Sequence, residues 1–261
     1  MRRYVALGSS MAAGPGIRPR AEGAPFLAGR SARNYPHLVA ERLGLELVDV
    51  TYSGATTANV LAEPQLGAAP QIEALDGTED LITVTIGGND VGYVPLLFAA
   101  GLPRLVRALP LVGHRLTGGL DASARGRALV EVAESLRTVG RALRQRSPEA
   151  RVLFVEYLTL LPPSGTAAPP LSEDDAAMGR HVADELARAT AQAAADTGCG
   201  LVRVAEHSVD HHAWSDEPWT AGFGLPVPCR PAPLHPNAAG MRAVADLVVA
   251  QLSGPGTAES G

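Results

Sequence analysis

The chain has 261 residues, 46% hydrophobic and 19% charged, with a net charge of -5 at pH 7, an ordinary globular composition long enough to bury about three quarters of its unfolded surface. Two cysteines, Cys199 and Cys229, exclude a disulfide scaffold and a four-cysteine zinc site. All 22 basic residues are arginine, which excludes lysine Schiff-base and P-loop chemistry, and no basic block offers a groove for nucleic acid.

The first apolar run, in Met1 to Gly8, is too short for a signal-peptide core or a membrane span. A cytoplasmic protein is therefore expected, or a secreted one if a leader has been removed. Five runs rich in branched aliphatics are predicted as strands: Tyr4 to Leu7, Leu45 to Val50, Leu81 to Ile86, Val152 to Tyr157 and Leu201 to Val204. Several are almost continuously apolar, as in parallel strands covered on both faces. A helix is predicted over about 124–146, where Leu129, Val132, Leu136, Val139 and Leu143 form one stripe. A second is predicted over about 173–196, with Ser172 as N-cap and Gly198 as its stop. A third is expected to start near Pro236, a residue suited to a first helical turn, and to bury Met241, Val244, Val248 and Leu252.

This alternation predicts an α/β fold, a three-layer α/β/α sandwich with a five-stranded parallel sheet, in one domain over 1–252. The remainder, 253–261, lacks apolar anchors and is expected to be a disordered tail. Two connections are long. The segment 91–120 is rich in leucine and suits a lid, an acyl-pocket wall (Leu96, Leu97, Phe98, Leu102) or two short packing helices, while Arg104, Arg107 and its prolines argue against stable membrane insertion. The other, 206–233, carries Trp214 and Trp219, whose commoner use is packing around a site.

In an open parallel sheet, ligands bind beyond the carboxyl ends of the strands. The first exit reads Gly8-Ser9-Ser10-Met11-Ala12-Ala13-Gly14, the second Thr51-Tyr52-Ser53-Gly54-Ala55-Thr56-Thr57, and the third Gly87-Gly88-Asn89-Asp90. The fourth passes through Tyr157 and Leu158 to Pro162-Pro163, and Leu234-His235-Pro236-Asn237 stands at the entrance to the last helix. Singly, these suit a helix cap, a tight turn and a surface histidine. Together they supply a hydroxyl nucleophile, an imidazole base and donors for an oxyanion, at positions one sheet edge would gather.

These segments, in this order, resemble the sequence blocks of the SGNH hydrolases, the GDSL-type esterases and lipases. The resemblance runs from Val5 to the last helix and implies a flavodoxin-like SGNH hydrolase fold. It implies Ser10 as nucleophile, His235 as base, and Gly54 and Asn89 as oxyanion donors. Two residues depart from the family pattern: Ser9 stands where an aspartate usually precedes the nucleophile, and Ala232 where an aspartate usually lies three residues before the histidine. Some members of the family use a main-chain oxygen in place of that acid, so the backbone carbonyl of Ala232 is the expected acceptor of the His235 Nδ1 proton. Asp210 and Asp216 are the alternatives.

The implied activity is hydrolysis of carboxylic esters with small or medium acyl chains through an acyl-enzyme, rising with pH through about 6 to 7 as the histidine loses its proton. A carbohydrate O-acetylesterase, a lysophospholipase and a thioesterase would share this machinery. Outside enzymes, the alternative is a catalytically decayed protein that binds acylated ligands. The expected partner is a small-molecule ester. No cofactor is expected, and His207, Asp210, His211 and His212 lack a familiar zinc spacing. The sequence leaves open the oligomeric state and whether Cys199 and Cys229 are bonded.

Overall fold

A computed structural model describes residues 2–102, 122–227 and 229–253. The five apolar runs form β1 (Arg3–Gly8), β2 (Glu46–Asp49), β3 (Leu81–Thr85), β4 (Arg151–Val155) and β5 (Gly200–Val202). They make one sheet of order β2-β1-β3-β4-β5, parallel at every pairing. Alternate side chains feed two cores. Val5, Leu7, Ile82, Val84, Val152 and Phe154 enter one, whereas Tyr4, Ala6, Leu81, Leu153 and Val155 enter the other. Both faces are covered, which is why the strands read as apolar runs. β4 stops at Val155, leaving Glu156 and Tyr157, expected within the strand, in the exit loop.

The helices are α1 (Ser10–Ala13), α2 (Tyr35–Leu43), α3 (Thr57–Leu61), α4 (Tyr93–Gly101), α5 (Ala122–Arg146), α6 (Glu173–Asp196), α7 (Val204–His207) and α8 (Ala238–Ser253). α2 and α8 cover one face through Tyr35, Val39, Met241, Val244 and Val248. α5 and α6 cover the other through Leu136, Val139, Leu143, Val182 and Leu186. This is the expected three-layer α/β/α sandwich. Ser172 caps α6, its Oγ accepting the Asp175 N–H at 3.2 Å.

One helical expectation needs correction. α8 starts at Ala238 and not at Pro236, because the Asn237 side chain accepts the N–H groups of Ala239 and Gly240 at 2.8 and 3.0 Å and so acts as the N-cap. Pro236 instead pairs with Thr220 in an isolated bridge. α2 has no counterpart among the expected helices; it is short, with Asn34 Oδ1 accepting the His37 N–H at 3.1 Å at its start.

In the 91–120 connection, α4 sends Leu96 and Leu97 into the core, so these two do not line an acyl pocket. Residues 103–120 of this expected lid, and 254–261 of the expected tail, lie outside the described residues. No helix among the described residues is long and apolar enough to cross a membrane.

Candidate active site

The order of the strands reverses between β1 and β3, so the crevice for a ligand opens where these two neighbours end. Gln71 fixes the end of β1: its Oε1 accepts the Gly8 N–H at 2.7 Å and its Nε2 donates to the Gly8 carbonyl at 3.0 Å. The Ser9 N–H donates to the Thr85 carbonyl at 2.9 Å. The chain then turns into α1, with Ser10 as its first residue, only 7% exposed. The Ala12 and Ala13 N–H groups of this turn donate to the Ser9 carbonyl, each at 3.0 Å, and the Ser10 N–H precedes the first of these bonds.

His235 reaches this serine from the far end of the chain, with Nε2 2.9 Å from Ser10 Oγ and Nδ1 2.8 Å from the Pro233 carbonyl oxygen. The main chain braces the imidazole from both sides. The His235 N–H donates to the Ala232 carbonyl at 3.1 Å, and the His235 carbonyl accepts the Ala221 N–H at 2.8 Å. Burial pushes the His235 pKa below its ordinary value, and the Pro233 contact offsets this in part. A neutral ring with hydrogen on Nδ1 satisfies both contacts: Nδ1–H donates to Pro233, and the Nε2 lone pair accepts from the Ser10 hydroxyl.

The expectation about Ala232 is therefore corrected by one residue. Its carbonyl is engaged by the His235 backbone in a tight turn, with Leu234 at φ 57°, and the turn directs the next carbonyl, that of Pro233, at the ring. Asp210 and Asp216 are both exposed, and neither bonds to His235, whose two ring nitrogens are engaged elsewhere.

The second and third exits are tied to each other. The Asp90 carboxylate accepts the Thr57 N–H at 3.0 Å and the Thr57 hydroxyl at 2.5 Å. Asn89 Nδ2 donates one of its two hydrogens to the Ala55 carbonyl at 2.8 Å, and the amide carries a second. Gly54, in the same turn, has φ 81°, a backbone state that favours glycine. Ser10, Gly54, Asn89 and His235 line one open groove of about 310 Å³, whose apolar wall is Val94, Pro95 and Phe98 of α4.

The sequence pattern assigned no role to Pro233, to Tyr157 or to the Asp90–Thr57 clamp. The Tyr157 hydroxyl lies 3.0 Å from Ser9 Oγ and accepts the Gly88 N–H at 3.0 Å. Its place at the end of the fourth predicted strand was the available signal. The carbonyl of Pro233 had none, since every residue has one.

The remaining expectations concern the long loop before His235. Trp219 stacks on His211 at 4.0 Å, and Trp214 Nε1 donates to the Pro169 carbonyl at 3.0 Å, so both are engaged in packing. The Nδ1 atoms of His207 and His211 contact backbone carbonyls, and that of His212 accepts the Trp214 N–H. No group of three or more His, Cys, Asp or Glu among the described residues is placed to hold a metal ion. Cys199 and Cys229 are both free thiols.

The pattern defining the GDSL-like lipase/acylhydrolase family matches residues 6–243. Lipase 2 of Streptomyces coelicolor is 34% identical over 258 residues, covering 93% of this chain and 83% of that protein. Among solved structures, an extracellular lipase from Streptomyces rimosus superposes with a TM-score of 0.76 at 26% identity, over 96% of this chain and 100% of that one. Phospholipase A1 from Streptomyces albidoflavus has a TM-score of 0.80 at 23% identity, over 96% of this chain and 99% of that one, a likeness of fold.

Proposed function

We propose, from the premise that this chain belongs to the GDSL-like lipase/acylhydrolase family and is a carboxylic ester hydrolase, that one domain cleaves fatty acyl esters with a Ser10–His235 dyad. Ser10 Oγ attacks the ester carbonyl carbon while His235 Nε2 takes its proton. The N–H groups of Ser10 and Gly54 and the Asn89 side-chain amide receive the negative charge that develops on the carbonyl oxygen. Collapse breaks the bond to the alcohol oxygen, which leaves with the proton from His235. The same imidazole then deprotonates a water that cleaves the acyl-Ser10 ester. The Pro233 carbonyl replaces the orienting half of what a triad carboxylate does, because it holds the Nδ1–H tautomer without supplying a full negative charge.

The observation that carries this reading is the contact of Ser10 Oγ with His235 Nε2 at 2.9 Å, with Nδ1 already committed to Pro233. For the acyl chain, the support is the apolar wall of α4, where Phe98 packs against Phe223 with ring centroids 5.4 Å apart. The description of the Streptomyces relatives as lipases points the same way.

Hydrolysis of nitrophenyl esters from acetyl to octanoyl, compared between wild type and Ser10→Ala, tests both parts. Turnover is expected to fall by about 10⁴-fold or more in the variant, and wild-type kcat/KM is expected to rise with chain length. Equal rates in the two proteins would leave a binder of acylated ligands. A preference for acetate would favour an O-acetylesterase.

A further inference from the structure

We propose that Tyr157 is a positioning residue that locks the nucleophile turn to the oxyanion turn through its hydroxyl. The inference rests on the roles of Ser10 and Asn89 in ester hydrolysis. Those two residues sit on turns leaving different strands, β1 and β3, and the residue immediately before each is bonded to one atom, the Tyr157 phenolic oxygen. A phenol has one hydrogen to give and lone pairs to receive. The Gly88 N–H fills a lone pair at 3.0 Å, and Ser9 Oγ, also at 3.0 Å, shares a hydrogen bond with the same oxygen in which either hydroxyl can donate. The bridge is part-buried, and desolvation raises the Tyr157 pKa to about 12, so the phenol keeps its hydrogen.

The third exit is shaped around this ring. A Cβ at position 88 would stand 2.3 Å from Tyr157 Cε2, so any side chain there would expel the tyrosine. Tyr157, with Leu160 and Leu186, also lines a cavity of about 350 Å³ that neither Ser10 nor His235 lines. The Tyr157 hydroxyl is bonded to Ser9 and Gly88, not to Ser10 or His235. Its effect must pass through the relative placement of Ser10 Oγ and Asn89 Nδ2, where an error near 1 Å costs up to about 10²-fold in rate.

Tyr157→Phe keeps the ring and removes the bridge. Its kcat is expected to fall about 10- to 100-fold with KM within about twofold of wild type. The pH midpoint of kcat/KM should stay where it was, because His235 is untouched. Ser9→Ala, which removes one end of the bridge, is expected to cost less, and the double variant should be no slower than Tyr157→Phe alone, since both act on one link. Wild-type turnover in Tyr157→Phe, a loss confined to KM, or losses that multiply in the double variant would each overturn the proposal. Should the phenylalanine variant not fold, Ser9→Ala decides: a fall in kcat of about threefold or more at constant KM supports the link, and no fall removes it. Ser10→Ala, run alongside, separates the two readings. If it is inactive while Tyr157→Phe is fully active, only this inference fails; if it is active, the nucleophile assignment itself is wrong.

Discussion

In the proposed mechanism Asn89 has two duties that a single truncation tests together. Its amide is tied to Ala55 and offers a donor to the groove. Asn89→Ala is expected to lower kcat about 10²- to 10³-fold, the usual cost of one oxyanion donor; turnover close to wild type in a stopped-flow assay would remove it from the site. The ionisation of His235 gives a second expectation. Only the neutral ring accepts the serine proton, and burial favours the neutral ring, so the acidic limb of kcat/KM should have its midpoint below 6.5, the ordinary value for histidine. A midpoint above the ordinary value would instead indicate a carboxylate near the ring. Asp210→Asn and Asp216→Asn supply the independent check. Both should keep kcat within about twofold of wild type, because surface changes away from the chemistry are usually small.

Helices and turns, not isolated residues, hold the groove open. α4 divides its side chains: Leu96 and Leu97 anchor the helix in the core, while Val94, Pro95 and Phe98 face the groove. Phe98→Ala is therefore expected to reduce kcat/KM for octanoyl esters more than for acetyl esters, by up to about 10-fold. Equal losses for both esters would place the acyl chain elsewhere. α5 contributes to the core through its apolar stripe. Leu136 is fully buried in the core beneath the sheet, and Leu136→Ala is expected to cost about 2–5 kcal/mol in urea unfolding while the folded fraction keeps its kcat. The difference between these two helices was visible only in part from their sequences. The long stripe of α5 stood out at helical spacing. α4 is apolar on nearly every side, so its pattern could not tell core from groove.

For the molecule as a whole, the layered architecture supplies stability without covalent staples. Both cysteines are free, so the thermal midpoint should be the same with and without reductant; a clear drop in reductant would reveal a bridge. The parallel sheet, the two long helices α5 and α6, and the loops at the strand exits were legible in the chain, because buried strands, amphipathic helices and turn residues each write a local pattern; Ser10, Gly54, Asn89 and His235 were singled out within those loops by the resemblance to the SGNH hydrolase blocks. What the tertiary structure alone decided are the contacts between segments far apart in sequence. The imidazole meets a serine 225 residues away. Its second nitrogen goes to the Pro233 carbonyl and not to that of Ala232, and Tyr157 joins two strand exits. Main-chain acceptors have no side chain to announce them, and a one-residue change in which carbonyl faces the ring depends on a turn angle that only the packed chain fixes.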